Sequence, residues 1–172
     1  MKQTNPIIER MRAWVPSREA LEANGSLGML APYLADPKLW HWSRRGVAVG
    51  LAIGLFIGLL IPLTQMLFAA AAAVFLRVNV PVAVAGTLVT NPLTVPPIYY
   101  AAYHLGAWAT GASATTAVSF VDLASIWENF GMIAMPLFAG LGIAAAVAAI
   151  ASYFLVMQVW AWRVAMKRGV SR

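Results

Sequence analysis

The chain has 172 residues, of which 61% are hydrophobic and 10% charged, and its mean hydropathy is +0.74. A soluble domain carries about 25% charged residues, whereas here the only charged side chains between Gly46 and Trp162 are Arg77, Asp122 and Glu128. This composition excludes an ordinary soluble domain and predicts an integral membrane protein, with the lipid bilayer as its partner. The chain has no Cys, which excludes disulfides, thiol catalysis and thiolate metal sites.

The net charge of +6 is concentrated at the two ends of the apolar region. The flanking basic residues are Arg44, Arg45, Arg163, Lys167, Arg168 and Arg172. This pattern argues against nucleic acid as a partner and predicts a multi-pass inner-membrane protein with both termini in the cytoplasm.

Residues 1–39 are mixed in polarity and lack the apolar stretch of a signal peptide. They predict a cytoplasmic arm containing a helix that lies at the membrane interface, because Leu21–Leu34 is weakly amphipathic. Trp40 and Trp42 follow it, and indoles close to Arg44 are typical of the headgroup level.

Residues 40–111 predict a membrane core that begins with an apolar, glycine-rich helix. Four glycines recur at four-residue spacing, and this places them on one helical face where another backbone can approach closely. These candidate packing residues are Gly46, Gly50, Gly54 and Gly58.

This core is predicted to contain two segments broken by prolines. The predicted helix breaks are Pro62, Pro81, Pro92, Pro96 and Pro97. Residues 46–76 are too long for one span and predict either a long broken helix or a hairpin bent near Pro62. Asn91–Pro97 is predicted not to form regular helix. The triplet Pro-Leu-Thr begins at Pro62 and again at Pro92, and this predicts two helices broken at membrane depth, through either a structural repeat or chance.

Polar side chains surround these breaks. The candidate binding or pathway residues are Arg77, Asn79, Asn91, Thr94, Thr64 and Gln65. Arg77 fits an interfacial turn or a functional charge, and the polar residues fit either cargo contact or satisfaction of backbone groups freed by the prolines.

Three tyrosines, Tyr99, Tyr100 and Tyr103, are neighbours on one helical face and predict an interfacial belt or the lining of a cavity. His104 has no other metal-ligating residue near it in the sequence, so it is either without a chemical role or part of a proton relay. No metal set, catalytic set or cofactor fingerprint occurs, so we expect neither enzymatic activity nor a cofactor.

The remainder predicts an extracytoplasmic loop at 112–130, a transmembrane helix at 131–163 that starts near Pro136, and a basic cytoplasmic tail at 164–172. With both termini inside, residues 46–110 must cross the membrane an odd number of times.

Several segments together resemble the bacterial membrane family called domain of unknown function 2062. They are Arg45–Gly58, Pro62 with Gln65–Met66, Leu76–Pro81, Asn91–Thr94 with Pro97, Tyr99–Tyr100, Tyr103 and Leu105–Gly106. The resemblance implies a small inner-membrane protein and no particular substrate. Some members are joined to glycosyltransferase-like domains, which suggests envelope glycolipid traffic.

The predicted fold is an all-α integral membrane protein with an interfacial N-terminal helix, two broken or re-entrant helical hairpins and one long C-terminal transmembrane helix. The leading hypothesis is a transporter-like protein or one that handles lipid-linked anionic cargo, and it predicts that Arg77, Asn79 and Asn91 face one cavity. The alternative is a non-transporting scaffold or accessory subunit. It predicts that these side chains are satisfied separately and that another protein covers the glycine face. So few spans also suggest a homo-oligomer or a membrane partner.

Overall fold

The computed structural model describes Tyr33 and residues 36–61, 64–112 and 123–169. Within these ranges every regular element is helical, which confirms the predicted all-α class for the described chain. The elements are a 3-10 helix at Pro37–Trp40 and the α-helices α1 Arg44–Leu60, α2 Gln65–Phe75, α3 Val80–Thr87, α4 Val95–Thr110, α5 Leu123–Glu128 and α6 Phe130–Gly169. The predicted interfacial helix in residues 1–39, Pro62 itself and most of the predicted 112–130 loop lie outside the described residues.

The chain reverses between α1 and α2. α1 ends at Leu60, as expected two residues before a proline that has no amide hydrogen to donate. Thr64 has a left-handed backbone with φ 58°, and α2 then starts at Gln65 and packs back against α1. Of the two arrangements predicted for residues 46–76, the structure has the hairpin.

A short turn with an unusual residue joins α2 to α3. Arg77 has φ 52°, its amide donates to the carbonyl of Val74 at 3.1 Å, and the amide of Val78 donates to the carbonyl of Ala73 at 2.9 Å. This is a Schellman helix end, in which the left-handed position is usually glycine. The turn leads directly into Asn79, which caps α3.

The glycine face of α1 lies against α3. The facing pairs, in order along both helices, are Gly46 with Asn79, Gly50 with Ala83, Gly54 with Gly86 and Gly58 with Thr87. The two helices are therefore parallel and touch backbone to backbone. A Cβ on Gly58 would lie 2.9 Å from the Cα of Thr87, which leaves no room for a side chain. The scaffold hypothesis expected another protein on this face, but α3 of the same chain occupies it.

Helix α4 starts earlier than its prolines suggested. Pro96 and Pro97 were predicted to break a helix, yet they lie in the first turn of α4. This correction has a simple reason, because first-turn amides have no partner within a helix and proline loses nothing there. Pro81 likewise lies in the first turn of α3, after the capping residue Asn79.

Helix α6 is 40 residues long, or about 60 Å, and both α1 and α4 pack against it. It is antiparallel to α4, where Gly106 and Gly140 make a close backbone contact. Its later part is antiparallel to α1, where the Arg44 Nε atom lies 3.2 Å from the Met157 sulfur. Pro136 lies inside α6, so the helix begins before the start predicted near that residue.

Candidate functional site

Polar side chains gather at the two ends of α3, and the two groups are separate. Thr87, Thr90 and Gln65 meet at its C-terminal end, whereas Asn79 lies at its N-terminal end. The eight residues of α3 span about 12 Å between them.

The C-terminal group is built around the hydroxyl of Thr90, which is 6% exposed. Pro62 has no amide hydrogen, so the carbonyl of Gly58, four residues earlier, lacks its usual helical partner. The Thr90 hydroxyl lies 2.8 Å from that carbonyl oxygen and also 2.8 Å from the side-chain oxygen of Gln65. The Gln65 amide in turn donates to the Thr90 carbonyl at 3.3 Å. The group therefore joins the end of α1, the start of α2 and the end of α3.

Asn91 and Thr94 form a capping box at the approach to α4. The Asn91 side-chain oxygen accepts from the amides of Leu93 at 3.0 Å and Thr94 at 3.1 Å, and the Thr94 hydroxyl accepts from the Asn91 amide at 2.9 Å. The Asn91 side-chain amide donates to the carbonyl of Leu88 at 3.4 Å. That carbonyl lies four residues before Pro92, so Asn91 replaces the donor that the proline lacks.

The N-terminal group consists of Asn79 and its backbone partners. Asn79 is 1% exposed. Its side-chain oxygen accepts from the amide of Val82 at 3.0 Å, its side-chain amide donates to the carbonyl of His41 at 3.2 Å, and its backbone amide donates to the carbonyl of Gly46 at 3.3 Å. Asn79 thus fixes α3 to α1 and to the segment before α1.

The structure does not bring Arg77, Asn79 and Asn91 together. Arg77 is exposed on the turn between α2 and α3, Asn79 is buried, and Asn91 is exposed beyond the other end of α3. Within the described part of the chain these three side chains therefore do not meet at one place, whereas the transport hypothesis predicted that they face one cavity. Gln65 and Thr94 take part in the bonds described above, and Thr64 is exposed beside Gln65.

The three tyrosines do not form one belt. Tyr99 and Tyr103 are buried against α6, in a cluster with Ile133 and Leu137, while Tyr100 is 52% exposed on the other side of α4. The ring of His104 lies 4.4 Å from that of Tyr100, and its buried Nε2 atom has no hydrogen-bond partner within the described part of the chain.

Thr90 was missed in the reading of the sequence, although a signal for it exists. Each proline leaves unpaired the carbonyl four residues before it, so a proline within an apolar helix calls for a nearby hydroxyl or amide. Ser43 was missed as well, and its side chain caps α1 by accepting from the amide of Gly46 at 3.0 Å.

Among the residues described by the structure, no group of three His, Cys, Asp or Glu side chains could hold a metal ion. The arrangement binds backbone carbonyls and amides, and its chemistry is that of hydrogen bonds that hold interrupted helices together.

The chain belongs to a bacterial family described as uncharacterised proteins conserved in bacteria, domain of unknown function 2062, whose model matches residues 27–169. The resemblance noted in the sequence is thereby confirmed. No curated protein and no solved structure gives a significant match.

Proposed function

We propose that this member of an uncharacterised bacterial family is a multi-pass protein of the inner membrane. Helix α6 is the main support, since residues Phe130–Met166 are long and apolar enough to cross a bilayer. Only 33% of the most apolar run of 18 residues in this stretch is buried. A core helix of a soluble protein would be mostly buried, whereas α6 exposes large apolar side chains along its length, from Met132 to Val159.

The helix directions support one topology. α3 and α4 both run antiparallel to α6 and together extend along it, so they would make one crossing and α6 the return. α1 ends where it meets the Tyr99 cluster, and α2 runs back, so this hairpin would enter from the cytoplasmic side and leave on the same side. Arg44 and Arg77 then lie on the cytoplasmic side and Glu128 on the other, as the positive-inside rule favours.

Within this topology the chain acts as a non-transporting scaffold or accessory subunit. One observation carries this conclusion: the buried polar side chains of the core are used to complete interrupted helices. Asn79 and Thr90 each bond to backbone groups of neighbouring segments, and glycine contacts fill the space between α1 and α3. A polar pathway through this core would have to break those bonds.

Handling of lipid-linked anionic cargo is the second candidate, and Arg77 favours it. A residue with a Cβ in the left-handed region costs about 1–2 kcal/mol relative to glycine, yet the chain has an exposed arginine there. A guanidinium at headgroup level can bind a phosphate.

Cysteine labelling tests the proposal, because the natural chain has no Cys. Single cysteines at Ala83, Arg77 and Ala112 would be treated with a membrane-impermeant maleimide in intact cells and after permeabilisation. We expect Ala112→Cys to react in intact cells, Arg77→Cys only after permeabilisation, and Ala83→Cys, which is buried against α1, in neither case. Reaction at position 83 would contradict the scaffold and support a water-filled path.

A further inference from the structure

The two turns that interrupt the core share one exposed surface. We define the proline-turn surface as Thr64, Asn91, Pro92 and Leu93, all exposed. The bond between Gln65 and Thr90 holds the two turns at the same level.

In the proposed topology this surface lies inside the hydrocarbon region. Arg44, at headgroup level, lies beside Met157 of α6, and Leu60, at the first turn, packs on the cluster that includes Leu141. Met157 and Leu141 are about 24 Å apart along α6, and a hydrocarbon core is about 30 Å thick. The turns therefore lie within the hydrocarbon region, about 6 Å from its far boundary.

Backbone polar groups on this surface lack helical partners. Pro96 and Pro97 have no amide hydrogen, so the carbonyls of Pro92 and Leu93 receive none of the usual bonds from four residues ahead. Asn91 also retains one side-chain amide hydrogen beyond its bond to Leu88. Lipid chains cannot satisfy such groups, and irregular backbone at this depth occurs only where protein or water covers it.

The side chains around the proline-turn surface indicate that protein, and not water, covers it. Leu93, in the turn before α4, is 85% exposed. On α4 itself Tyr100 is 52% exposed and Trp108 82%, and their spacing places both on the same side of the helix. A water-filled crevice would have polar walls. Polar groups set within apolar and aromatic side chains are instead typical of a protein interface in a membrane.

We propose that a second copy of this chain covers the proline-turn surface, with the two copies related by a two-fold axis normal to the membrane. Such an axis brings identical groups to identical depths. The surface is complementary to itself at that depth, because Asn91 provides a donor and the carbonyls of Pro92 and Leu93 provide acceptors. This inference rests on the membrane topology of the proposed function.

Crosslinking of Leu93→Cys in membranes tests the interface. Leu93 makes no side-chain hydrogen bond and is exposed, so the substitution leaves the fold intact. With copper phenanthroline we expect a disulfide-linked species of twice the chain mass, and none from the control Ile150→Cys, which is 59% exposed on the later part of α6. A product of any other mass, or no product, would overturn the proposal.

Labelling distinguishes the alternatives. If Leu93→Cys reacts with an impermeant maleimide in intact cells and forms no dimer, water covers the surface and the interface is refuted. If it neither reacts nor dimerises while Ala112→Cys is labelled, lipid or another protein covers it, and the interface alone fails. If Ala112→Cys is not labelled in intact cells, the topology fails and the interface fails with it.

Asn91→Ser tests the hydrogen bonds, since serine keeps the capping oxygen and removes the side-chain amide. We expect the dissociation constant of the dimer in detergent to rise about three- to tenfold, the range of an interhelical hydrogen bond in a membrane protein. An unchanged constant would contradict the role assigned to Asn91.

Discussion

Thr90→Val tests whether the Thr90 hydroxyl stabilises the end of α1 before Pro62 by bonding the Gly58 carbonyl. Valine has nearly the volume of threonine, so packing is retained and the hydroxyl alone is lost. The Gly58 carbonyl oxygen, which lies 2.8 Å from that hydroxyl, would then have neither a helical amide nor a side-chain donor. An unpaired buried acceptor costs about 1–3 kcal/mol, and we expect the free energy of unfolding to fall by that amount.

Thr110→Val is the control for the chemical change, at a residue that is exposed. The Thr110 hydroxyl also bonds a carbonyl, that of Gly106 at 2.8 Å, but Gly106 lies within α4, where the helical amides already supply a donor. The same chemical change should therefore cost well under about 1 kcal/mol.

The assay is unfolding of the purified protein in detergent micelles by added dodecyl sulfate, followed by tryptophan fluorescence, for which the chain has 7 Trp residues. Equal losses in the two variants would refute the reasoning, because they would show that the cost arises from removing any hydroxyl that bonds a backbone carbonyl. No loss in Thr90→Val would show that the Gly58 carbonyl has another partner.

Two further substitutions probe the backbone in the same assay. Gly54→Ala should destabilise the protein by at least about 2 kcal/mol, because the new Cβ would collide with the carbonyl of Ala83 and lie 2.9 Å from the Cα of Gly86. The control Gly142→Ala, where a Cβ would have nothing within 4 Å, should stabilise the protein by up to about 1 kcal/mol. Similar effects at both sites would contradict the close contact between α1 and α3. Arg77→Gly should stabilise the fold by about 1 kcal/mol, because glycine has no Cβ to be strained by the left-handed backbone. Arg77→Ala keeps the Cβ and should give no such gain. An equal gain in both variants would show that the effect comes from removing the charge.

The local features of this core follow from residue chemistry and are visible in the sequence. Glycines at four-residue spacing share a helical face wherever the helix is placed, so their contact with a neighbouring backbone could be expected from Gly46–Gly58 alone. A proline removes one amide in any fold, so a helix end just before Pro62 could be expected too. Neither inference needs to know which segment lies opposite.

The candidate site depends on tertiary placement, and there the sequence is insufficient. Asn79 and Asn91 make similar local bonds, since each side-chain oxygen accepts from the backbone amide three residues ahead. One is nonetheless buried against the carbonyls of His41 and Gly46, and the other is exposed. Only the packing of α3 on α1 separates them, and no spacing in the chain encodes that difference. The predicted helix breaks at Pro96 and Pro97 were also wrong, because the effect of a proline depends on its distance from the capping residue.

The repeated Pro-Leu-Thr triplet shows how context decides what the same residues do. Its copies are thirty residues apart, and the parallel pairing of α1 with α3 sets Gly58 against Thr87, a nearly equal offset, so both triplets follow helices that end at the same level. The backbone differs, however: Thr64 is left-handed with φ 58°, whereas Thr94 is helical with φ −92°. The first triplet precedes a reversal and the second a continuation, since Asn91 starts a capping box at the second and no asparagine stands at the equivalent position of the first. The similarity therefore extends to the paired helices and their shared end, and the hydrogen bonds of Asn91 and Thr94 distinguish the second triplet, after which the chain continues.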